Sequence, residues 1–228
     1  MSLVLHSHPL SSYCWQVLIA LYEKGLPFDA RTVDLGDAAE RAAFAALWPT
    51  ARIPLLQDGD RVVPETSIQI EYLDGRPGGA RMLPGDPAAQ LEVRLWDRLF
   101  DGYVMSPLQH AVGYHLRPEN LRDPLALDNA RAQLATAYGM IEARIPGTTW
   151  AVGDAFTLAD CAAAPSLFYA SIFMPFPPGH ARLSAYFERL VARPSVARVI
   201  ADARPYLRFF PLADQVPTRF LGETADAS

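Results

Sequence analysis

The sequence predicts a mixed α/β region followed by an all-helical region, α/β plus all-α. Three observations predict this. Between Leu3 and Gly75, short apolar runs alternate with stretches of helical spacing in the order β-α-β-α-β-β-α. From Gly75 to Gly85 the composition turns to Gly, Pro and Arg without periodicity, as in a linker. Beyond it every periodic segment is helical. These features set an N-terminal domain at residues 1–76, a linker at 77–86 and a helical domain at 87–228.

The elements follow in order. Leu3 to His6 is a short apolar strand. Ser12 to Lys24 places Val17, Leu18, Leu21 and Tyr22 at helical spacing and stops at Gly25. Phe28 to Val33 reads as a strand, and the alanine-rich Ala38 to Leu47 as a helix that ends before Pro49. Ile53–Gln57 and Arg61–Pro64 flank Asp58-Gly59-Asp60, a hairpin signal that makes the two strands antiparallel. Glu65 to Asp74 is a third helix. In the second half, Pro87 to His115 predicts one long helix, or two joined near Pro107. Asp123–Ile145, Thr157–Phe173, Arg182–Ala192 and Pro194–Asp202 follow. The tail after Pro211 is weakly patterned and is expected to be partly mobile.

The totals restrict the function. With 228 residues, 50% hydrophobic and 20% charged, the chain can bury a sizeable core and is not a disordered polymer. Its 20 Lys and Arg against 25 Asp and Glu leave a formal net charge of −5. With no basic cluster, this argues against nucleic acid or an anionic membrane as a partner. Cys161 to Ala181 lacks charge but contains Pro165, Pro175, Pro177 and Pro178, so it reads as a buried helix and a loop, not a membrane span. The N-terminus lacks the pattern of a secretory signal, which predicts a cytoplasmic protein. There Cys14 and Cys161 are expected to stay reduced.

The chemistry gathers at three places. Pro9-Leu10-Ser11-Ser12-Tyr13-Cys14-Trp15 joins the first strand to the first helix, and Ser11-Ser12-Tyr13-Cys14 has the form of a C-x-x-C redox motif whose first cysteine is a serine. Ile53-Pro54 opens a strand with a residue that cannot donate to a ladder. From the residues alone the trans peptide is favoured, and a cis bond would turn the Ile53 backbone outward toward an extended ligand. Glu65-Thr66 starts a helix, where an acid and a hydroxyl serve either as a cap or, with the free N–H groups, as an anchor for a ligand carboxylate. Gly153-Asp154-Ala155-Phe156-Thr157-Leu158-Ala159-Asp160 adds a capping box of Thr157 and Asp160 with a structural role. His6 and His8 share a strand face, but no third ligand falls nearby, so no metal is expected.

These motifs, in this order and with the helical half after them, resemble a cytosolic glutathione transferase over roughly Leu3 to Phe210. The resemblance implies a thioredoxin-like N-terminal domain with a cis proline at Pro54, and a helical domain holding the electrophile pocket. It implies glutathione as co-substrate, held by Arg52, Ile53, Pro54, Glu65 and Thr66, with Glu65 meeting the ligand ammonium. Glu65-Thr66 departs mildly from the usual Glu-Ser and keeps the hydroxyl.

The resemblance also explains the serine. Such an enzyme borrows its thiol, so the protein needs only a donor that stabilises the thiolate. A free thiol titrates near ~8.5 and is about 3% ionised at pH 7, and lowering that to about 6.5 ionises about three quarters at ~2.7 kcal/mol. Ser11 is the first candidate donor by similarity to the serine-type, zeta- or theta-like pattern, and Ser12 is the alternative. Cys14 reads as a packed thiol, with a mixed disulfide as the remaining reading. Tyr13 carries a hydroxyl expected to point along the helix. Tyr103, Met105, Gln109, His110, Tyr114, Phe168 and Phe173 are candidates to line an apolar acceptor pocket.

The resemblance further implies a homodimer paired along the Asp86–His110 helix. Two other readings stand beside conjugation: a zeta-like cis-trans isomerase, against which Gln16 replaces the arginine common after the tryptophan, and a non-catalytic binding module.

Overall fold

The computed structural model describes residues 3–145, 147 and 149–222. Strands β1 (Leu3–Ser7), β2 (Phe28–Thr32), β3 (Leu55–Asp58) and β4 (Arg61–Val63) form one mixed sheet in the order β2-β1-β3-β4. β1 runs parallel to β2, with Leu3 opposite Phe28, and antiparallel to β3, with Leu5 opposite Leu56. The central strand buries Leu3 and Leu5, while the edge strand β2 exposes Asp29 to Thr32, three of them polar or charged as suits a sheet edge. Helices α1 (Ser12–Lys24), α2 (Ala38–Leu47) and α3 (Thr66–Asp74) complete this half.

The helical half comprises α4 (Pro87–Leu99), α5 (Ser106–Leu116), α6 (Ala126–Arg144), α7 (Leu158–Phe173), α8 (Ala181–Ala192), α9 (Pro194–Ala203) and the short α10 (Thr218–Leu221). From Pro87 to Leu116 the chain stays helical, but it changes pitch before Pro107. Phe100–Met105 is a π turn, and Ser106 N–H donates to the Asp101 carbonyl five residues back. Proline has no N–H to give and its ring crowds the preceding turn, so a wider turn accommodates it. This turn directs Asp101 inward.

α1 is buried on every side. From Cys14 to Leu21 each residue is enclosed, because α1 packs on α3 in its own half and on α7 and α9 in the other. A helix that is apolar all round belongs in a sandwich, and the sequence pattern of one apolar stripe understates this. Gly25, at φ 60°, ends the helix in the left-handed conformation that glycine adopts without strain. α7 is likewise enclosed but for Ser171, as expected for a helix that carries no charge after Asp160 and holds Pro165.

The linker is fastened to the end of α1. Lys24, buried, donates to the carbonyls of Gly78 (3.2 Å) and Ala80 (3.4 Å), and its ammonium lies 3.5 Å from Asp74. At Gly79, φ 54°, an added Cβ would sit 2.3 Å from the Lys24 Cα, so only glycine lets the two backbones pass.

The chain end corrects the expectation of a mobile tail as far as residue 222. Leu212, Val216 and Phe220, four residues apart, are buried in the common core, and Ala213–Gln215 and Thr218–Leu221 are helical turns. Their apolar spacing is regular, but prolines and polar residues between them dilute it. The rest of the tail lies outside the described residues.

The predicted capping box forms and does more than cap. Asp160 Oδ2 accepts from the Thr157 N–H at 2.9 Å, while Oδ1 accepts from the Ala151 N–H at 3.0 Å and the Tyr186 hydroxyl at 2.6 Å. It ties α7 to α8 and to the preceding loop. Asp160→Ala strands those donors in the interior and is expected to cost at least ~3 kcal/mol. Thr157→Ala is expected to cost only ~1 kcal/mol. Urea unfolding followed by tryptophan fluorescence measures both.

Candidate active site

The loop before β3 and the start of α3 form one wall of a cleft of about 750 Å³. The Ile53–Pro54 peptide is cis, against what the residues alone favour and as the family resemblance implies. Tertiary contact holds this loop: buried Gln69 on α3 donates to the Pro54 carbonyl at 2.9 Å. The loop is thereby registered against the N-terminus of α3. There Glu65 adopts φ 66°, a left-handed conformation that costs a non-glycine residue energy and is typical of functional sites. No side chain caps α3, so its first turn, with buried Thr66, presents its positive end to the cleft.

The opposite wall comes from α4 and the π turn, and it is strongly charged. Arg94 holds Glu71 in a two-point contact at 2.7 and 2.9 Å. Gln16 of α1 donates to Asp101 at 2.9 Å, and Arg98 lies 3.6 Å from the other Asp101 oxygen. Asp97 is only 2% exposed. Its Oδ2 accepts from the Ser67 hydroxyl at 2.7 Å, and its Oδ1 has no partner among the described residues. Burial pushes its carboxyl up to about 6; the Ser67 bond opposes this and the Asp101 charge adds to it. Burial likewise raises Asp101, against its bond from Gln16 and the charge of Arg98.

A second cavity of about 270 Å³ adjoins the N-terminus of α1. Leu108, Val112 and Leu116 of α5, Phe209-Phe210-Pro211 and Tyr169 make it apolar. Among the described residues, Tyr13 lines both cavities.

Arg52, Ile53, Pro54, Glu65 and Thr66 come together on the cleft. Ser11 caps α1, its Oγ accepting from the Cys14 N–H at 3.4 Å, and lines the second cavity together with Ser12. Ser12 is buried, with its Oγ 3.4 Å from the Gln109 amide nitrogen. Cys14 is fully enclosed, and burial pushes its thiol up to about 12 despite hydrogen bonds from the Ser11 side chain and the His8 backbone. A thiol so placed is inert. His6 and His8 are engaged locally, His6 3.3 Å from the Gln57 side-chain oxygen and His8 accepting from the Leu10 N–H at 3.1 Å.

The acceptor-pocket residues are mostly elsewhere. Gln109 does line the second cavity. Met105 and Phe168 are wholly buried in the core, and Phe168 packs on Trp15 and Phe220. Tyr103 borders a separate surface pocket beside α6, His110 is exposed, Tyr114 packs under Arg122, and Phe173 lies under Arg131. The expectation took aromatic residues as the lining. The sequence signal for the wall of this cavity is the aliphatic ridge Leu108, Val112, Leu116, spaced by four on one helical face. Tyr13, expected to point along α1, lines both cavities.

Comparison with known proteins places this arrangement. Residues 5–81 match the family model for the glutathione S-transferase N-terminal domain, and residues 108–194 match that for the C-terminal domain. Glutathione S-transferase 3 of Zea mays is 32% identical over 87% of this chain and 93% of its own. FtsZ-localized protein A of Caulobacter vibrioides is 30% identical over 89% of this chain and 92% of its own. A glutathione S-transferase of Methylobacillus flagellatus, solved with GSH bound, superposes with a TM-score of 0.79 at 25% identity, covering 87% of this chain and 98% of that one. The chain belongs to the glutathione S-transferase family.

The raised Asp97 carboxyl has a consequence for stability. Between the ordinary value of 3.8 and about 6, the folded protein holds a proton that the unfolded chain releases. Stability therefore falls as pH rises through that window. Asp97→Asn removes the penalty while keeping an acceptor for Ser67. It is expected to be more stable than the parent at pH 7.5, on the order of 2 kcal/mol, and to converge with it near pH 4. Thermal melts at the two pH values check this.

Proposed function

We propose that the protein is a glutathione transferase that activates the glutathione thiol for attack on a small apolar electrophile. The observation that carries this reading is the uncapped α3 N-terminus beside the cis-Pro54 loop on one wall of a charged cleft, which meets an apolar cavity at Tyr13. Thr66 and the first turn of α3 would take the γ-glutamyl carboxylate. Glu65 and the unpartnered Asp97 oxygen would take its ammonium, which would also compensate the buried Asp97 charge. The Ile53 backbone would pair with the cysteinyl unit and Arg52 with the glycyl carboxylate. This layout directs the sulfur to the start of α1, where Ser11 is the proposed donor and Ser12 the alternative.

The apolar cavity would receive the electrophile. Its described lining carries no Lys or Arg, so it suits an apolar acceptor better than the dicarboxylate a zeta-like isomerase would need. A non-catalytic binding role is the remaining contrast, given the relative named for its FtsZ localisation.

Calorimetry with glutathione, followed by absorbance of the bound thiolate against pH, tests the reading. Binding with a thiol pKa of about 6.5 is expected, and Ser11→Ala should return it toward ~8.5. No binding, or binding with an unshifted thiol, would favour the non-catalytic role.

The protein is further proposed to be a cytoplasmic homodimer. Leu91 and Leu95, four residues apart on α4 and exposed, offer apolar surface that pairing along α4 would cover. Light scattering should give twice the chain mass, and Leu91→Glu should give monomer.

A further inference from the structure

On the α5 side the second cavity is aliphatic except at one point. Among the α5 residues that line it, Leu108, Val112 and Leu116 offer only hydrocarbon, and Gln109 alone carries a polar side chain. The other polar side chains on this cavity, Ser11, Ser12 and Tyr13, all belong to the entry of α1. Gln109 therefore supplies a hydrogen-bond donor from the helical half, against hydroxyls from the α/β half. Its amide nitrogen is loosely engaged. It lies 3.4 Å from Ser12 Oγ, a long contact, and 3.5 Å from Met105 Sδ, a weak acceptor. Gln109 is exposed and outside the core, so packing does not account for it. A better acceptor entering the cavity can take the amide N–H at little cost.

We propose that Gln109 is a catalytic donor to the electrophile, and that the acceptor class it selects is the α,β-unsaturated carbonyl. This assignment rests on the glutathione-transferase reading above and deepens it by naming the acceptor. The glutathione thiol gives its proton to solvent, and a sulfur lone pair forms a C–S bond at the β-carbon. The π pair of the C=C bond shifts toward the carbonyl, whose oxygen takes up the negative charge as an enolate. Gln109 N–H donates to that oxygen. A proton from solvent then reaches the α-carbon, so the addition balances with no leaving group. A donor placed where charge develops raises the rate, and it gains strength beside hydrocarbon such as the α5 ridge. An alkyl halide makes no use of it, because there the charge departs on the halide.

The test compares two acceptors, trans-2-hexenal and benzyl chloride, at saturating glutathione. In Gln109→Leu the donor is lost and the apolar ridge is extended. The ratio of kcat/KM for hexenal to that for benzyl chloride is expected to fall about tenfold, chiefly through kcat, as for a partly solvated oxyanion donor. Gln109→Glu keeps an oxygen for the Ser12 hydroxyl but offers no donor, and its ratio is expected to fall at least as far. An unchanged ratio in Gln109→Leu, or a ratio restored by Gln109→Glu, overturns the assignment. So does a wild type that binds glutathione yet does not turn over hexenal. Calorimetry of the wild type separates the two layers. With glutathione bound, any of these results removes the role of Gln109 alone, whereas no binding removes the transferase reading with it.

Discussion

Everything at the site depends on the complete enclosure of α1. One helix supplies the floor of the α/β half and the central contact of the helical half, so neither can shift without the other. Its entry turn is pinned from both sides. Trp15 Nε1 donates to the Pro9 carbonyl at 2.6 Å, and the Tyr169 hydroxyl of α7 donates to the Leu10 carbonyl at 2.9 Å. Trp15 also packs against Phe168 and Tyr169, with ring centroids 5.0 and 5.1 Å away. Ser11, Ser12 and Tyr13 thus begin a helix whose position is fixed by core packing. Core packing therefore fixes the backbone of these three side chains, which border the second cavity.

The charged cleft shows the complementary expense. Asp97 is held in the interior with one oxygen unpartnered among the described residues, and Glu65 adopts a conformation that side chains avoid. None of this helps the protein fold. In the proposed reading each would become favourable when a ligand with an ammonium and carboxylates occupies the cleft, because the missing partners would then arrive from outside, the usual relation between a site and its scaffold.

Much of this was legible in the sequence, for identifiable reasons. Helices with an Asp or Thr at the entrance, such as those after Asp37, Asp86 and Thr157, announce their starts through local chemistry. The hairpin around Gly59 is equally local. The Ile53–Pro54 isomer is not: a contact from Gln69, fifteen positions away, secures that loop, and the residue pair itself favours trans. Phe168 lies in the core and not on either cavity, because aromatic side chains on α7 are as suited to a core as to a pocket. Which of the two Phe168 serves depends on α1 and on Phe220, not on its neighbours in sequence. The carboxylates Asp97 and Asp101 were visible as residues, but neither their burial nor the π turn that holds Asp101 is displayed by periodicity.

The fastening of the linker bears on how such a chain can be taken apart. Lys24 and its carboxylate partner Asp74 belong to the first half, yet the carbonyls that complete its shell come from the stretch leading into the second. A cut at Gly78 or Gly79 would leave an enclosed ammonium with Asp74 as its one fixed counter-group, beside a helix with an apolar back and nothing to cover it. The two halves are therefore not modules on a tether. They share one core.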